Sequence, residues 1–253
     1  MPSIALPKQS RARSPRRRSQ LTAIVIRGLM VAVLVGCPGL PLSGTGSASH
    51  RAVAQLPPGA RSPGGVRTGI FGLEAKGNRF VYVFDRSASM GQPEGAPLAA
   101  AKEELIRSID ELGDVQQFYL IFYNERLQVF SPPGTRGRLL FATEENRRSA
   151  RRFIQGVRAD GGTRHAEPLA AAFRLDPDVI FLLTDADAKD DLSEAELERL
   201  ARLAGGARCM VVQFGAEEQR SLRLAELAAR CGGKYLAVSP TAAMDDLMEA
   251  DAP

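Results

Sequence analysis

Five short runs of nearly uninterrupted apolar residues set the strongest limit on how this chain folds: residues 80–84 (FVYVF), 118–123 (FYLIFY), 179–183 (VIFLL), 209–214 (CMVVQF) and 235–238 (YLAV). A strand with one wet face alternates apolar and polar residues, whereas a run that is apolar throughout is covered on both faces. Between the runs, apolar residues recur at helical spacing. Leu98, Leu105, Ile109 and Leu112 mark one helix, and Ala150, Phe153, Ile154 and Val157 another. A third carries Leu197, Leu200 and Leu203 and opens on Ser193 with Glu196 in capping-box register. Strands alternating with helices of this length predict an α/β fold, a mostly parallel sheet with helices on both faces. Residues 127–130 come too soon after the second run for a crossover and predict an antiparallel edge strand.

The first 36 residues are of a different kind. They hold seven of the 33 basic side chains and no acid, and residues 21–36 (LTAIVIRGLMVAVLVG) form an apolar stretch interrupted by Arg27. A basic region, an apolar stretch and small residues after it are the layout of an export signal, cleaved or kept as a membrane anchor. Within it, LVGC, ending at Cys37, resembles the lipobox of bacterial lipoproteins and would make Cys37 the lipidated residue. Residues 37–69 come next, with sixteen Gly, Pro or Ser among thirty-three and no hydrophobic periodicity, and read as a linker. The folded domain is expected over residues 70–253. Without the seven N-terminal cations the chain carries 26 basic against 29 acidic residues and has no Trp, which argues against nucleic-acid binding.

In open parallel sheets, ligands sit beyond the carboxyl ends of the strands. The first run ends in Asp85, with Ser87 and Ser89 just after it; GGT places Thr163 before a helix; and VIFLLTD ends the third run in Asp185. The topology brings these three loops to one rim. Two carboxylates and three hydroxyls are hard oxygen donors, suited to Mg²⁺ or Mn²⁺ and unsuited to zinc or copper. Two carboxylates only balance a divalent cation and hydroxyls donate weakly, so the metal stays electrophilic and can take a carboxylate from another molecule.

The pattern DxSxS after the first strand, GGT before a helix and LLTD after a later strand resembles the von Willebrand factor type A domain and its metal-ion-dependent adhesion site. The likeness spans about residues 68 to 253 and includes FYLIFYNERLQVF. It implies a Rossmann-like sheet of about six strands and a role in binding partners. It further implies that Ser87 and Ser89 bind the metal directly, Thr163 directly or through water, and Asp85 and Asp185 largely through water or hydrogen bonds. Ala88 and Ala186 stand where the family often has Gly, and neither side chain is a ligand.

The expected function is therefore recognition, with Mg²⁺ or Mn²⁺ completed by an Asp or Glu of a partner protein, and not catalysis. A metal-independent scaffold and a Mg²⁺-dependent phosphohydrolase are the competing readings. No GxSxG motif accompanies His165, which is expected as a partly exposed rim residue. Asp187, Asp190 and Asp191 read as a solvated loop and helix N-terminus in preference to a second cation site. Cys209 and Cys231, at the start of a strand and the end of the next helix, can pair as a disulfide in an exported protein or stand as two buried thiols. No CxxC spacing supports zinc.

Overall fold

The computed structural model describes residues 64–92, 95–185, 188–215 and 220–239. Along the chain, a hairpin of β1 (Val66–Ile70) and β2 (Leu73–Gly77) leads into β3 (Arg79–Asp85) and α1 (Ala96–Asp110). Next come β4 (Gln117–Tyr123), β5 (Leu127–Val129), β6 (Leu140–Phe141), α2 (Glu144–Gly156) and α3 (Ala166–Phe173). The remainder is β7 (Val179–Thr184), α4 (Glu194–Leu203), β8 (Arg208–Phe214), α5 (Leu222–Arg230) and β9 (Lys234–Val238).

The main sheet has the order β5-β4-β3-β7-β8-β9. Its five long apolar runs are mutually parallel, and β5 is the antiparallel edge strand that the short spacing predicted. A further short strand, β6, pairs antiparallel with β4 and has no signal in the apolar pattern. Burial explains why the runs lack alternation. Phe80, Tyr82 and Phe84 pack with Leu105, Ile109 and Ile154 on one face. Val81 and Val83 pack with Leu169, Phe173, Leu197, Leu200, Leu224 and Leu227 on the other. Every residue of the sheet's centre therefore meets a helix, from α1 and α2 on one side and α3, α4 and α5 on the other.

Regular structure begins at Val66, inside the segment read as a linker up to Gly69. The hairpin turns on Phe71 and Gly72, both at positive φ, as a two-residue turn of this hand requires. It docks on α1 through buried polar contacts: Thr68 Oγ1 lies 2.6 Å from Ser108 Oγ, and the Phe71 amide donates to Glu104 Oε2 at 2.7 Å. α4 opens with the expected capping box at Ser193 and Glu196. Leu197 and Leu200 are buried, while Leu203 is half-buried.

Of the two readings left open for Cys209 and Cys231, a disulfide or two buried thiols, the structure has the second, with both free. Both lie in the apolar cluster with Leu224 and Leu227, and burial pushes Cys231 up to about 11 and Cys209 higher still. They are held as protonated, unreactive thiols. The export segment and Cys37 lie outside the described residues, among which no helix is long and apolar enough to cross a membrane.

Chain direction places the site. From β3 the chain crosses to β4 on one side and later returns to β7 on the other, so the strand order reverses between β3 and β7. At such a switch point the loops leave in opposite directions and open a crevice beyond the strand ends. Asp85 ends β3 there and Asp185 comes directly after β7.

Candidate metal centre

Asp85 is fully buried at the end of β3, where an unpaired carboxylate would be costly. Both of its oxygens are met. Oδ1 accepts from the Ser87 amide at 2.7 Å and Oδ2 from Thr184 Oγ1 at 2.6 Å. Ser87 then opens a single tight turn of helix over Ala88–Gly91, which lifts Ser89 onto the same side. The two hydroxyls lie 3.0 Å apart, and both donate to Asp185 Oδ1, from Ser89 at 2.9 Å and from Ser87 at 3.4 Å. Four of the five residues expected from sequence thus form one connected group.

Thr163 arrives by a different route. Its loop is strapped to the serine turn by Ala88 N donating to Gly161 O at 2.9 Å and Asp160 N donating to Arg86 O at 2.9 Å. Arg86 and Asp160 also form an ion pair. The loop packs closely on Asn124, whose Nδ2 donates to Asp160 O at 2.7 Å. A Cβ at Gly161 would lie 2.7 Å from that nitrogen, and Gly161 has φ of +75°. Thr163 itself is half-buried, and among the described residues no hydrogen bond joins it to the other four.

Burial raises the Asp85 carboxyl to about 6, the Thr184 and Ser87 hydrogen bonds pull it down, and the neighbouring Asp185 charge adds a smaller upward push. Two carboxylates held this close favour a cation between or beside them. Beneath them lies a buried polar base that the sequence did not single out. Thr184, which donates to Asp85, is also hydrogen-bonded to Tyr123, and the Tyr123 hydroxyl lies 2.8 Å from His165 Nδ1. His165 is only 2% exposed, so its reading as a partly exposed rim residue is corrected. Burial pushes the imidazole down to about 4, against the pull of Asp191 and Glu196, and leaves it neutral at pH 7. The signal for this base was a polar residue at the end of an apolar run, Tyr123 after FYLIF and Thr184 after VIFLL.

Asp191 has a structural task. It accepts from Ser221 Oγ at 2.6 Å and from the Arg223 amide at 3.0 Å, and so fastens its loop to the first turn of α5. Among the described residues no group of three or more His, Cys, Asp and Glu side chains is arranged to hold a metal, which leaves the hydroxyl-rich set as the candidate. Its donors are all oxygen, the chemistry of Mg²⁺ and Mn²⁺.

A von Willebrand factor type A structure from Catenulispora acidiphila matches with a TM-score of 0.58 and 25% identity, covering 73% of this chain and 46% of that one. The described residues form a von Willebrand factor type A fold. Inter-alpha-trypsin inhibitor heavy chain H4 of Homo sapiens is 33% identical to the chain over 135 residues, 53% of this chain and 13% of that protein. The Bos taurus heavy chain H4 is 27% identical over 126 residues, 50% of this chain and 12% of its own length. The chain thus spans a small fraction of these curated relatives. No protein-family model matches it. In this fold the switch-point crevice and the Asp85–Asp185 cluster occupy the same rim.

Proposed function

We propose that the type A domain is a recognition module whose partner protein donates an Asp or Glu side chain to a divalent cation held at the rim. The carrying observation is the convergence of Ser87 and Ser89 hydroxyls on Asp185 Oδ1 directly above the buried Asp85. Ser87, Ser89 and Thr163 would hold Mg²⁺ or Mn²⁺, with Asp85 and Asp185 supplying the balancing charge. The cation, when bound, supplies a Lewis-acidic position for a carboxylate from outside the chain. Asp85 and Thr184 orient the serine turn, and the strap from Ala88 to Gly161 keeps the Thr163 loop beside it.

Recognition is favoured over hydrolysis because, among the described residues, no imidazole stands with the clustered groups. His165, the nearest imidazole in sequence, is neutral, buried and engaged by Tyr123. The likeness to a type A structure points the same way. The basic and apolar N-terminal segment supports export, with the domain released or tethered through that segment. Calorimetric titration of Mn²⁺ and Mg²⁺ into the purified chain, with acetate present to fill the outer position, tests the centre. One saturable site is expected, lost in Asp185→Ala and in Ser87→Ala. A wild-type chain that takes up neither ion leaves the domain a metal-independent scaffold.

A further inference from the structure

Three buried side chains stand in line beneath Asp85: Thr184, Tyr123 and His165, none more than 2% exposed. Each hydroxyl among them has one proton to give, and the contacts leave one consistent way of giving it. A carboxylate only accepts, so at the 2.6 Å contact with Asp85 Oδ2 the proton is that of Thr184. Thr184 Oγ1 then serves only as acceptor in its hydrogen bond with Tyr123, and the Tyr123 proton points to it. Tyr123 in turn accepts at its 2.8 Å contact with His165 Nδ1, so that nitrogen carries the N–H. The reverse choice, Tyr123 donating to His165, leaves the Tyr123 and Thr184 oxygens facing each other with no proton between them. The far side of the ring agrees. Nε2 is buried without a hydrogen-bond partner, and in a neutral ring with its proton on Nδ1 it is a bare acceptor. Among buried backbone groups, an orphaned acceptor is commoner than an orphaned N–H.

We propose that Tyr123 and His165 are positioning residues of the metal centre: the His165 Nδ1–H turns the Tyr123 proton to Thr184, which turns its own proton to Asp85 and holds that carboxylate in one orientation. The inference rests on the reading of the rim as a cation site. Neither residue touches the cation; each acts through Thr184. Groups that orient a metal-binding side chain from behind are typically worth about ten- to a hundredfold in affinity. Here the whole line lies away from water, where a hydrogen bond is strongest and its loss most costly. The fold also imposes the less common form of the ring, since free neutral histidine favours the proton on Nε2. The tautomer of His165 is therefore a reporter of the line that simple packing of the ring would not set.

The test reads the protonated ring nitrogen by imidazole nitrogen NMR of the full chain at about pH 8, with and without Mg²⁺, and Mg²⁺ affinity by calorimetry. The chain has two histidines, and His50→Gln assigns the spectrum. His165 is expected to carry its proton on Nδ1. In Thr184→Val the Tyr123 hydroxyl loses its acceptor and turns to the ring, so the proton should move to Nε2, and Thr184→Ser should restore it to Nδ1. Tyr123→Phe should bind Mg²⁺ about tenfold more weakly. Tyr119→Phe, which removes a hydroxyl from the same strand outside the line, should change neither readout. A wild-type ring protonated on Nε2, or a tautomer unmoved in Thr184→Val, would overturn the line of protons. Equal Mg²⁺ affinity of Tyr123→Phe and wild type would overturn the positioning role. If the tautomers behave as expected but wild type takes up no Mg²⁺, the line of protons is upheld and the metal reading of the rim is what fails.

Discussion

Asp85 and His165 are buried titratable residues whose protons move in opposite senses. Folded Asp85 stands at about 6 against an ordinary 3.8, so as pH falls the folded state takes up that proton first and gains stability between about pH 6 and pH 4. Folded His165 stands at about 4 against an ordinary 6.5, so the unfolded state takes up that proton first. The stability it contributes is complete above pH 6.5 and is lost as pH falls toward 4. Each gap is worth about 3 kcal/mol at most. In chelator the two slopes offset one another in the wild-type chain. Asp85→Asn removes one, so its urea midpoint should lie above wild type at pH 7 and fall steadily from pH 6.5 to 4. A variant curve running parallel to wild type over that range would contradict the assignment of opposed protons.

At the scale of single elements, the loop that carries Thr163 depends on one glycine. Gly161 combines φ of +75° with a close approach to Asn124, whereas Gly134, at φ of +79°, has open space where a Cβ would go. Alanine at either position pays the left-handed penalty of about 1–2 kcal/mol. Only at Gly161 must Asn124 also move, and Asn124 holds the Asp160 carbonyl and, through its own carbonyl, the Arg164 amide. Gly161→Ala is therefore expected to lose more stability than Gly134→Ala and, unlike it, to weaken Mn²⁺ binding, as read by thermal unfolding and calorimetry. Equal effects of the two would mean that the strap does not place Thr163. The α4 capping box, by contrast, was legible in advance, because its two residues are neighbours on one turn and need no tertiary partner.

Across the whole molecule, the two covered faces of the sheet explain both its stability and its silent cysteines. Cys209 sits within β8 and Cys231 lies just past α5, both under the helices of one face. In a Cys37→Ser variant neither thiol should react with a mild disulfide reagent in native buffer, and both should react in denaturant. Rapid native reaction of either would show that α5 opens readily. The ends of the elements left pairing and two free thiols both open; burial in the apolar cluster, visible only in the fold, keeps both thiols protonated.

The five apolar runs, with helical periodicity between them, determined the parallel sheet and its covering by helices, because burial on both faces is written at every position of a run. The same reasoning located Asp85, Ser87, Ser89 and Asp185 at strand ends. Which distant groups meet was beyond the sequence and was decided by the fold. Thr184, Tyr123 and His165 look like unremarkable polar residues until β3, β4 and β7 lie side by side and close them into the base under Asp85. The β1–β2 hairpin and β6 were missed for a related reason. The hairpin strands mix apolar with polar residues and β6 is only two residues long, and they are held by contacts to α1 and β4 that only the tertiary structure supplies.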